Sequence, residues 1–363
     1  MAQNVIRSDL MGLAIWFSDP PNTGVGRYNK NLLEAIPDAI PFHYIPAKGV
    51  YEQPYDRENR IVAPLKINLP KNAELIFNRY FQRRITKHEI LKSTNIDMIH
   101  YTSQHESPFL DGSFLQIATI LDLTALKERP VDFTDLIYKR LVKKNIDRIF
   151  ELDRIVTISE YVKREILEYG YNGTVHMIHL CAASVFHQEA DKRDLRERLG
   201  LPSDKILILS VSSGAKRKNL AMIIKTMKLL GDRYTLVRVG PALGIKNELD
   251  FPHVSDDTLN GLYNACDLLL FPSFDEGFGY PLAEAMTTGL PIVASDTIIH
   301  REILQDAGIL VSKNDPKDYV EAINAVSKSP EKYSILSLQR SREFSFEKFA
   351  KEYGQFYYRL MFQ

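Results

Sequence analysis

Several features are scarce in this 363-residue sequence, and each scarcity narrows what the protein can be. Only two cysteines occur, Cys181 and Cys266, so a disulfide framework is excluded and buried free thiols in a reducing compartment are expected. Neither sign of charge is in excess, with 46 basic and 46 acidic residues, which gives no indication of a nucleic-acid partner. The N-terminal apolar run, residues 10–17, is too short to span a membrane. We therefore expect a cytoplasmic protein.

Short apolar runs alternate with amphipathic stretches along most of the chain. One series lies at residues 12–17, 98–101, 116–121, 154–158 and 175–179, and a second lies at residues 206–211, 234–239, 268–271 and 292–295. Such alternation predicts parallel strands joined by helices that cover both faces of a sheet. Two series in a chain of this length predict an α/β protein with two Rossmann-like, doubly wound domains.

A charged connector separates the two series. Residues 191–199 have little apolar periodicity and are followed by Gly-Leu-Pro, which is typical of a surface helix and its end. We place the N-terminal domain at residues 1–182 and the C-terminal domain at residues 183–345. The last stretch, residues 346–363, carries several aromatic residues on one side of a predicted helix, and such a face needs a surface to pack on.

The stretch at residues 271–291 concentrates the signals of a ligand-binding loop. It reads Phe-Pro-Ser-Phe-Asp-Glu-Gly-Phe-Gly-Tyr-Pro-Leu-Ala-Glu-Ala-Met-Thr-Thr-Gly-Leu-Pro. An apolar strand leads into a glycine-containing loop, and the next helix is expected to begin at Pro281 and to end at Gly289. The loop therefore follows the carboxyl end of a parallel strand, where open α/β sheets bind ligands.

Two carboxylates of this stretch are suited to hydroxyl groups. Glu276 lies in the loop and Glu284 lies one turn into the helix. A carboxylate only accepts hydrogen bonds, which suits the paired hydroxyls of a ribose or a hexose. Gly277 and Gly279 allow the backbone to approach a ligand closely, and amides at the start of a helix attract anions.

The motif resembles the signature of the GT-B glycosyltransferases of family 4, in which two glutamates are separated by seven residues within Pro-Ser-x-x-Glu-Gly-Phe-Gly-x-Pro-x-x-Glu-Ala. Further segments also resemble this family. Residues 212–220 resemble its phosphate-gripping loop, residues 237–240 the next strand and turn, residues 251–263 its nucleobase-binding segment, residues 24–28 its glycine loop, and residues 155–160 a strand and turn that line its cleft. The resemblance thus runs along nearly the whole chain.

The resemblance implies two domains that face each other across a cleft, a last helix that returns to the first domain, and transfer with retention of anomeric configuration. It assigns the transferred sugar to Glu276, the ribose to Glu284, and the leaving diphosphate to Arg217 and Lys218. We assign the catalytic group to Glu276, Arg217, Lys218 and Asp122. We assign donor binding to Gly24, Gly26, Ser213, Val254, Leu259, Gly277, Phe278, Gly279, Tyr280 and Glu284.

Two departures from the family pattern stand out. Leu121 occupies the position where the pattern usually has a histidine before Asp122, and His100, His105 and His179 are the candidates for a replacement. Ser212-Ser213 stands where many members carry Gly-Arg, so Lys216, Arg217 and Lys218 must hold the phosphates without that arginine.

Several of these residues also have purely structural interpretations. Gly24 and Gly26 can form an ordinary turn, Asp122 can cap a helix, and Ser159 is expected to cap the helix that begins at Glu160. His300 and Arg301 are expected on a helix surface rather than at a ligand.

No metal or cofactor is expected. The histidines are scattered and no Asp-x-Asp follows a strand, so a cation has no evident ligand set. The predicted function is transfer of a hexose, mannose or glucose, from a GDP- or UDP-linked donor to a glycan, a lipid-linked acceptor or a small molecule. Two alternatives stay open: a nucleotide-sugar epimerase or hydrolase on the same scaffold, and a non-catalytic subunit that binds nucleotide sugars.

Residues 57–92 are locally basic, with nine basic residues against three acidic ones. Apolar residues are interleaved with these charges, as in a helix that lies at a membrane interface. We therefore predict peripheral contact with the inner face of the membrane through residues 57–92. The alternative is that the apolar residues pack on the core while the arginines face water. The chain is expected to be a monomer or a homodimer.

Overall fold

The computed structural model describes residues 12–17, 23–45, 49–51, 60–62, 96–106, 108, 114–127, 129–130, 133–311 and 315–362. The chain divides into two compact units. The first comprises residues 1–178 and 349–363, and the second comprises residues 179–348. The boundaries expected from the sequence, 182/183 and 345/346, lie four and three residues from these.

The described strands number fourteen, eight in the first unit and six in the second. Those of the first unit are β1 (Leu13–Phe17), β2 (Ile40–Ile45), β3 (Gly49–Tyr51), β4 (Arg60–Val62), β5 (Met98–Tyr101), β6 (Leu115–Ile120), β7 (Arg154–Thr157) and β8 (Thr174–Met177). Those of the second unit are β9 (Ile206–Val211), β10 (Tyr234–Val239), β11 (Glu248–Phe251), β12 (Leu268–Phe271), β13 (Ile292–Ser295) and β14 (Ile309–Val311).

Twelve α-helices accompany these strands in the described part of the chain. They are α1 (Gly24–Ala35), α2 (Thr124–Lys127), α3 (Phe133–Ile149), α4 (Glu160–Glu168), α5 (Lys192–Arg198), α6 (Leu220–Leu230), α7 (Asp256–Ala265), α8 (Tyr280–Thr288), α9 (Ile298–Leu304), α10 (Pro316–Lys328), α11 (Pro330–Ser341) and α12 (Phe346–Phe362).

The sheet of the first unit has the order β4-β3-β2-β1-β5-β6-β7-β8. The parallel strands are β2, β1, β5, β6, β7 and β8. Strands β3 and β4 extend the sheet beyond β2 with antiparallel pairing. Every residue of β1 and β5 is buried, which explains why these two read as continuous apolar runs. Strands β2, β3 and β4 were missed in the sequence, because β3 and β4 are only three residues long and β2 mixes apolar residues with a proline and a histidine, so none shows a clear period.

The sheet of the second unit is wholly parallel, with the order β11-β10-β9-β12-β13-β14. Strand β9 therefore has β10 on one side and β12 on the other, so the direction of winding reverses between β9 and β12. Crevices outside the carboxyl ends of the strands at such a reversal are the usual binding sites of doubly wound sheets. The prediction of doubly wound α/β units is confirmed.

Helix ends follow the signals in the sequence. The Ser159 hydroxyl accepts a hydrogen bond from the Val162 amide at 3.1 Å, so Ser159 caps α4 as predicted. Gly289 ends α8 in the left-handed conformation with a φ of 73°, also as predicted. Pro281 is the second residue of α8 rather than the first, and it is compatible with the first turn because its missing amide would have no partner there.

The last helix, α12, packs within the first unit, as the resemblance implied. Its residues Phe349, Tyr353 and Tyr357 are buried. The Tyr353 hydroxyl lies 2.6 Å from that of Tyr28 on α1, and the Tyr357 hydroxyl lies 2.5 Å from Nδ1 of His100 on β5. The aromatic face of α12 therefore completes the core of a unit whose other elements come from the first half of the chain.

The basic segment, residues 57–92, lies outside the described residues except for residues 60–62, so the membrane contact stays a prediction. In the part of the chain that the structure describes, no helix has both the length and the apolar character needed to cross a membrane.

Candidate active site

The two loops at the winding reversal of the second unit are tied to each other. After β9 the chain forms one turn of 3-10 helix, Lys216–Lys218, and Asn219 then adopts a left-handed conformation with a φ of 53° before α6. The Phe274 amide, in the loop after β12, donates to the Arg217 carbonyl at 2.7 Å. The Asn219 side-chain amide donates to the Pro272 carbonyl at 3.2 Å. These bonds fix the loops after β9 and β12 side by side.

Three of the four residues assigned to catalysis meet between these loops. Glu276 Oε1 lies 2.6 Å from Lys218 Nζ, and Glu276 Oε2 lies 2.6 Å from Arg217 Nη1. Arg217 Nη1 also donates to the Asp275 carbonyl at 3.1 Å. The exposed fraction falls from 29% for the Arg217 side chain to 12% for Lys218 and 6% for Glu276. We call Arg217, Lys218 and Glu276 the ion cluster.

Two basic side chains flank the carboxylate of the ion cluster. Burial by itself would raise the pKa of Glu276, but the positive charges of Lys218 and Arg217, with hydrogen bonds from Lys218 and Ser273, outweigh burial and lower that pKa. Glu276 is therefore ionised at neutral pH. Basic side chains at the carboxyl ends of parallel strands favour an anionic ligand.

The loop after Glu276 starts α8 without a side-chain cap. Gly279 immediately precedes the helix with a φ of 94°, a conformation that favours glycine, and none of the described side chains caps this end. Phe278 is buried, and its ring packs edge-on against Phe344 and Tyr280 with centroid distances of 5.4 and 6.0 Å. Gly277 and Tyr280 are half-buried. The positive, amino-terminal end of the α8 dipole therefore follows Glu276 in the chain by only four residues.

Glu284, assigned to the ribose, is 1% exposed on α8. Its Oε2 accepts a hydrogen bond from the Tyr263 hydroxyl at 2.7 Å, and Tyr263 is a buried residue of the neighbouring helix α7. This partner was not predicted from the sequence, although Tyr263 is the last residue of the segment that resembles the nucleobase site. The ribose contact of Glu284 stays a prediction.

The other donor-binding candidates of the second unit lie on the same elements. Ser213 is exposed in the loop after β9. Val254 is half-buried shortly before α7, and Leu259 is buried within α7. Their contacts with a nucleobase or a phosphate stay predictions.

In the first unit, the glycine loop after β1 is partly used by helix capping. Thr23 caps α1, and its hydroxyl accepts a hydrogen bond from the Gly26 amide at 3.0 Å. The Gly26 amide is therefore directed at Thr23, whereas Gly24 is exposed at the first position of the helix. Gly26 thus has a structural role in the first turn of α1, and the donor-binding assignment of Gly24 and Gly26 stays a prediction.

Asp122 also has a structural role. Its Oδ1 accepts a hydrogen bond from the Thr124 amide at 3.0 Å, at the start of α2, so the cap interpretation is confirmed. Gln104, a buried residue after β5 that the sequence analysis missed, donates to the same oxygen at 3.5 Å and accepts from the Leu121 amide at 3.1 Å. Leu121 itself is buried. The catalytic assignment of Asp122 stays a prediction.

The candidates for the missing histidine differ in position. His100 is fully buried, bonded through Nδ1 to Tyr357 and through Nε2 to Thr119 at 2.7 Å, and burial lowers its pKa to about 3. This imidazole is neutral and enclosed, so it does not replace the missing sugar contact. His105 lies 3.4 Å from the Tyr138 hydroxyl. His179 belongs to the second unit, where its Nε2 lies 3.2 Å from Glu302.

The expectation that His300 lies on a helix surface is wrong. His300 is fully buried on α9. Its Nδ1 lies 2.7 Å from the Ser295 carbonyl oxygen and 3.1 Å from the Ser295 hydroxyl oxygen. The charged Arg301 and Glu302 that follow it suggested an exposed position, and α9 is only seven residues long, too short to show a clear period. Arg301 is exposed and pairs with Asp296, as expected of a surface residue.

A metal site is not evident in the described part of the chain, where no group of three or more histidine, cysteine, aspartate or glutamate residues could hold an ion.

A comparison with known proteins points to the region of the chain that contains the ion cluster. Residues 191–340 match the family model of glycosyl transferases group 1, and this range contains the ion cluster and Glu284. The chain is 28% identical to the O-antigen chain mannosyltransferase RfbU of Salmonella typhimurium over 248 residues, which are 64% of this chain and 66% of RfbU. It is 26% identical over 223 residues to the serotype-specific mannosyltransferase WbdA of Escherichia coli, which are 54% of this chain and 27% of WbdA. The chain thus spans less than two thirds of either relative.

Solved structures match nearly the whole chain in fold. A sucrose-phosphate synthase from Thermosynechococcus elongatus has a TM-score of 0.77 at 18% identity, covering 96% of this chain and 98% of that one. HepE of Anabaena, in complex with UDP and glucose, has a TM-score of 0.71 at 14% identity, covering 95% and 99%. The fold is therefore that of the GT-B glycosyltransferases, and the match to the family model of glycosyl transferases group 1 lies within the second unit.

Proposed function

We propose that the protein is a hexosyltransferase of GT-B family 4 that moves a sugar from a nucleoside diphosphate donor to an acceptor with retention of anomeric configuration. The observation that carries this proposal is the ion cluster, in which Arg217 and Lys218 flank Glu276 at the winding reversal of the second unit. The match of this unit to glycosyl transferases group 1 supports it.

Arg217 and Lys218 act on the leaving group in this proposal. As the anomeric C–O bond stretches, negative charge grows on the departing diphosphate, and fixed cations stabilise that charge more in the transition state than in the ground state. Both cations are held in place by the loop contacts of Asn219 and Phe274, so little reorganisation is needed when the charge develops.

Glu276 changes partners in this proposal. In the structure its carboxylate bridges Arg217 and Lys218. A bound diphosphate competes for the same two cations, and the carboxylate then becomes available to accept hydrogen bonds from hydroxyls of the transferred sugar. Backbone amides of Phe278 and Gly279 assist there. Replacing Glu276 by Gln removes the competing charge, so we expect the variant to bind the nucleoside diphosphate at least as tightly as the wild type while it loses turnover.

The proposed reaction needs no cofactor and no divalent cation, because Arg217 and Lys218 supply the positive charge. We expect full activity in the presence of EDTA. Activity lost in EDTA and restored by Mg²⁺ or Mn²⁺ would overturn this part of the proposal.

We propose mannose from GDP-mannose as the first donor to test and glucose from UDP-glucose as the second. RfbU and WbdA are named mannosyltransferases, whereas HepE was solved with UDP and glucose. A panel of donors, with and without glycan, lipid-linked and small acceptors, separates the candidate functions by mass spectrometry. A glycosylated acceptor supports the transferase, an isomerised or hydrolysed donor supports the epimerase or hydrolase, and binding without turnover supports a non-catalytic subunit. NMR of the product's anomeric proton then shows retention or inversion.

We also propose that the acceptor is anionic or lipid-linked and that residues 57–92 contact the membrane surface, because of their excess of basic over acidic residues, nine against three. Binding to vesicles should rise with the content of anionic lipid and fall with salt. The test variant is Arg83→Glu with Arg84→Glu, and the matched control is Lys328→Glu with Lys332→Glu, two exposed residues of the second unit. Equal vesicle binding by both variants would favour a soluble acceptor.

A further inference from the structure

Arg238 is a buried arginine in the middle of the second unit's sheet. It lies on β10, next to β9, and its side chain is fully buried. A buried charge is costly unless it is fully hydrogen-bonded. The guanidinium meets this condition with oxygens alone: Nη2 donates to the Ser212 carbonyl at 2.6 Å, and Nη1 donates to the Ser212 hydroxyl at 3.1 Å. Further bonds reach the carbonyls of Ser210, Val239 and Pro241.

The charge of Arg238 is not neutralised by a direct partner. Among the described residues no carboxylate forms an ion pair with it, and only the more distant charges of Glu248 and Asp250 favour its protonated form. Burial lowers the pKa of Arg238 to about 10, so the guanidinium stays charged at neutral pH. Polar groups of the two strands thus solvate a positive charge within the protein.

The hydrogen bonds of Arg238 converge on the first residue of the phosphate-loop candidate. Ser212 directly follows β9, and the loop it begins leads to Lys216–Lys218. Gly240, with a φ of 126°, packs closely against the same residue. A Cβ added to it would lie 2.1 Å from the Ser212 carbonyl oxygen. Arg238 and Gly240 therefore determine where the chain leaves β9, and so the base from which Arg217 and Lys218 extend.

We propose that Arg238 is a positioning residue for diphosphate binding. It holds Ser212 and the loop that begins there, and it adds a buried positive charge beneath that loop. This inference rests on the proposed function, since it assumes that the loop binds the diphosphate of a nucleotide. Arg238 does not touch the ligand, and it acts through the loop.

The test compares a nucleoside diphosphate with its nucleoside. A role in the general stability of the unit would weaken the binding of both ligands, whereas positioning of the phosphate loop affects only the diphosphate. The probes are GDP with guanosine and UDP with uridine, together with inorganic pyrophosphate. Their affinities are measured by calorimetric titration below the melting temperature of each variant.

The control variant is Arg340→Met. Arg340 belongs to the same unit, and its guanidinium also donates to backbone carbonyls, those of Glu302 and Ile303 on α9. It also lies over the Phe344 ring, and none of these contacts is with the loop after β9. Removing it therefore reproduces the loss of a carbonyl-bound arginine at another position.

We expect Arg238→Met to weaken the binding of the diphosphate and of pyrophosphate by about tenfold or more, with the nucleoside affinity unchanged. Arg238→Lys keeps the charge without the forked donors and should recover part of the loss. Arg340→Met should bind all probes like the wild type. If Arg238→Met does not fold, Arg238→Lys and Ser212→Ala carry the test.

Two outcomes would overturn the inference: diphosphate binding that Arg238→Met and Arg238→Lys leave unchanged, or losses that are equal for nucleoside and diphosphate. A wild-type protein that binds neither the diphosphates nor pyrophosphate would instead overturn the proposed function itself, and the inference with it.

Discussion

A group of buried, neutral side chains in the first unit contrasts with a group of buried or half-buried, charged side chains in the second. In the first unit the hydroxyls of Tyr28, Thr119, Tyr353 and Tyr357 bond to one another or to His100. Burial raises the pKa of the tyrosines and lowers that of His100, so no member carries a charge at neutral pH. In the second unit the ion cluster and Arg238 are ionised.

The neutral group stabilises the fold, whereas we propose that the charged group binds a ligand. A neutral network whose donors and acceptors satisfy one another is complete without any other molecule, and it specifies how α1, α12, β5 and β6 pack. The ion cluster places two basic side chains beside one carboxylate, and Arg238 adds a buried positive charge on β10. Basic side chains at the carboxyl ends of parallel strands attract anions, which is why the second unit, rather than the first, carries the clearest chemical signal.

Removing the last helix should have the largest effect on this comparison. Truncation after Ser345 deletes Phe349, Tyr353, Phe356 and Tyr357, all buried, each contributing about 2 kcal/mol when buried. We expect the first unit to lose most of its stability while the second keeps its own melting transition. Calorimetry of the truncated protein measures both, and unchanged melting would contradict the role of α12 in the core.

Changing the ion cluster should affect turnover instead of stability. We expect Lys218→Ala or Arg217→Ala to lower kcat for sugar transfer by about 100-fold to 1,000-fold, the usual consequence of losing one electrostatic contact with a leaving group. Tyr353→Phe removes one hydroxyl of the neutral network and should leave kcat unchanged. Wild-type turnover of Lys218→Ala at saturating donor would show that Lys218 does not act on the phosphates.

Glu284 should separate binding from chemistry within the second unit. Ribose contacts are the same in the ground state and the transition state, so Glu284→Ala should raise the donor KM, by about tenfold, with a much smaller change in kcat. Tyr263→Phe removes only the partner's hydroxyl and should have a smaller effect in the same direction. A fall in kcat at unchanged KM would place Glu284 in the chemical step.

His100 should give the smallest effect, on the pH dependence of stability. Its pKa is about 3 in the folded protein and near 6.5 in an unfolded chain, so only the unfolded state gains this proton as the pH falls from 6.5 towards 3. The folded state is thereby destabilised in that range, by up to about 1.4 kcal/mol per pH unit. Between pH 7 and 5, the free energy of unfolding of His100→Gln should fall less steeply with decreasing pH than that of the wild type, although the variant is less stable at pH 7. Denaturant unfolding at each pH measures both. Equal slopes for the variant and the wild type would contradict the assignment of this pH dependence to His100.

The sequence by itself determined the parts of this protein that depend on local pattern. Continuous apolar runs predicted the central strands, because a strand buried on both faces has no polar side, and Ser159 and Gly289 marked helix ends through capping chemistry that is complete within a few residues. The Glu276 loop could also be predicted, because a strand, a glycine loop and a helix follow one another directly in the chain.

Only the tertiary structure decided which distant groups meet. Arg217 and Lys218 lie nearly sixty residues before Glu276, and their pairing follows from β9 and β12 being neighbours in the sheet. The same applies to Arg238, which looks like any arginine in a strand until β10 places it under Ser212, and to His300, whose burial follows from the packing of α9. Strand order sets these contacts, and it arises from the summed packing of the whole sheet rather than from any local stretch of sequence.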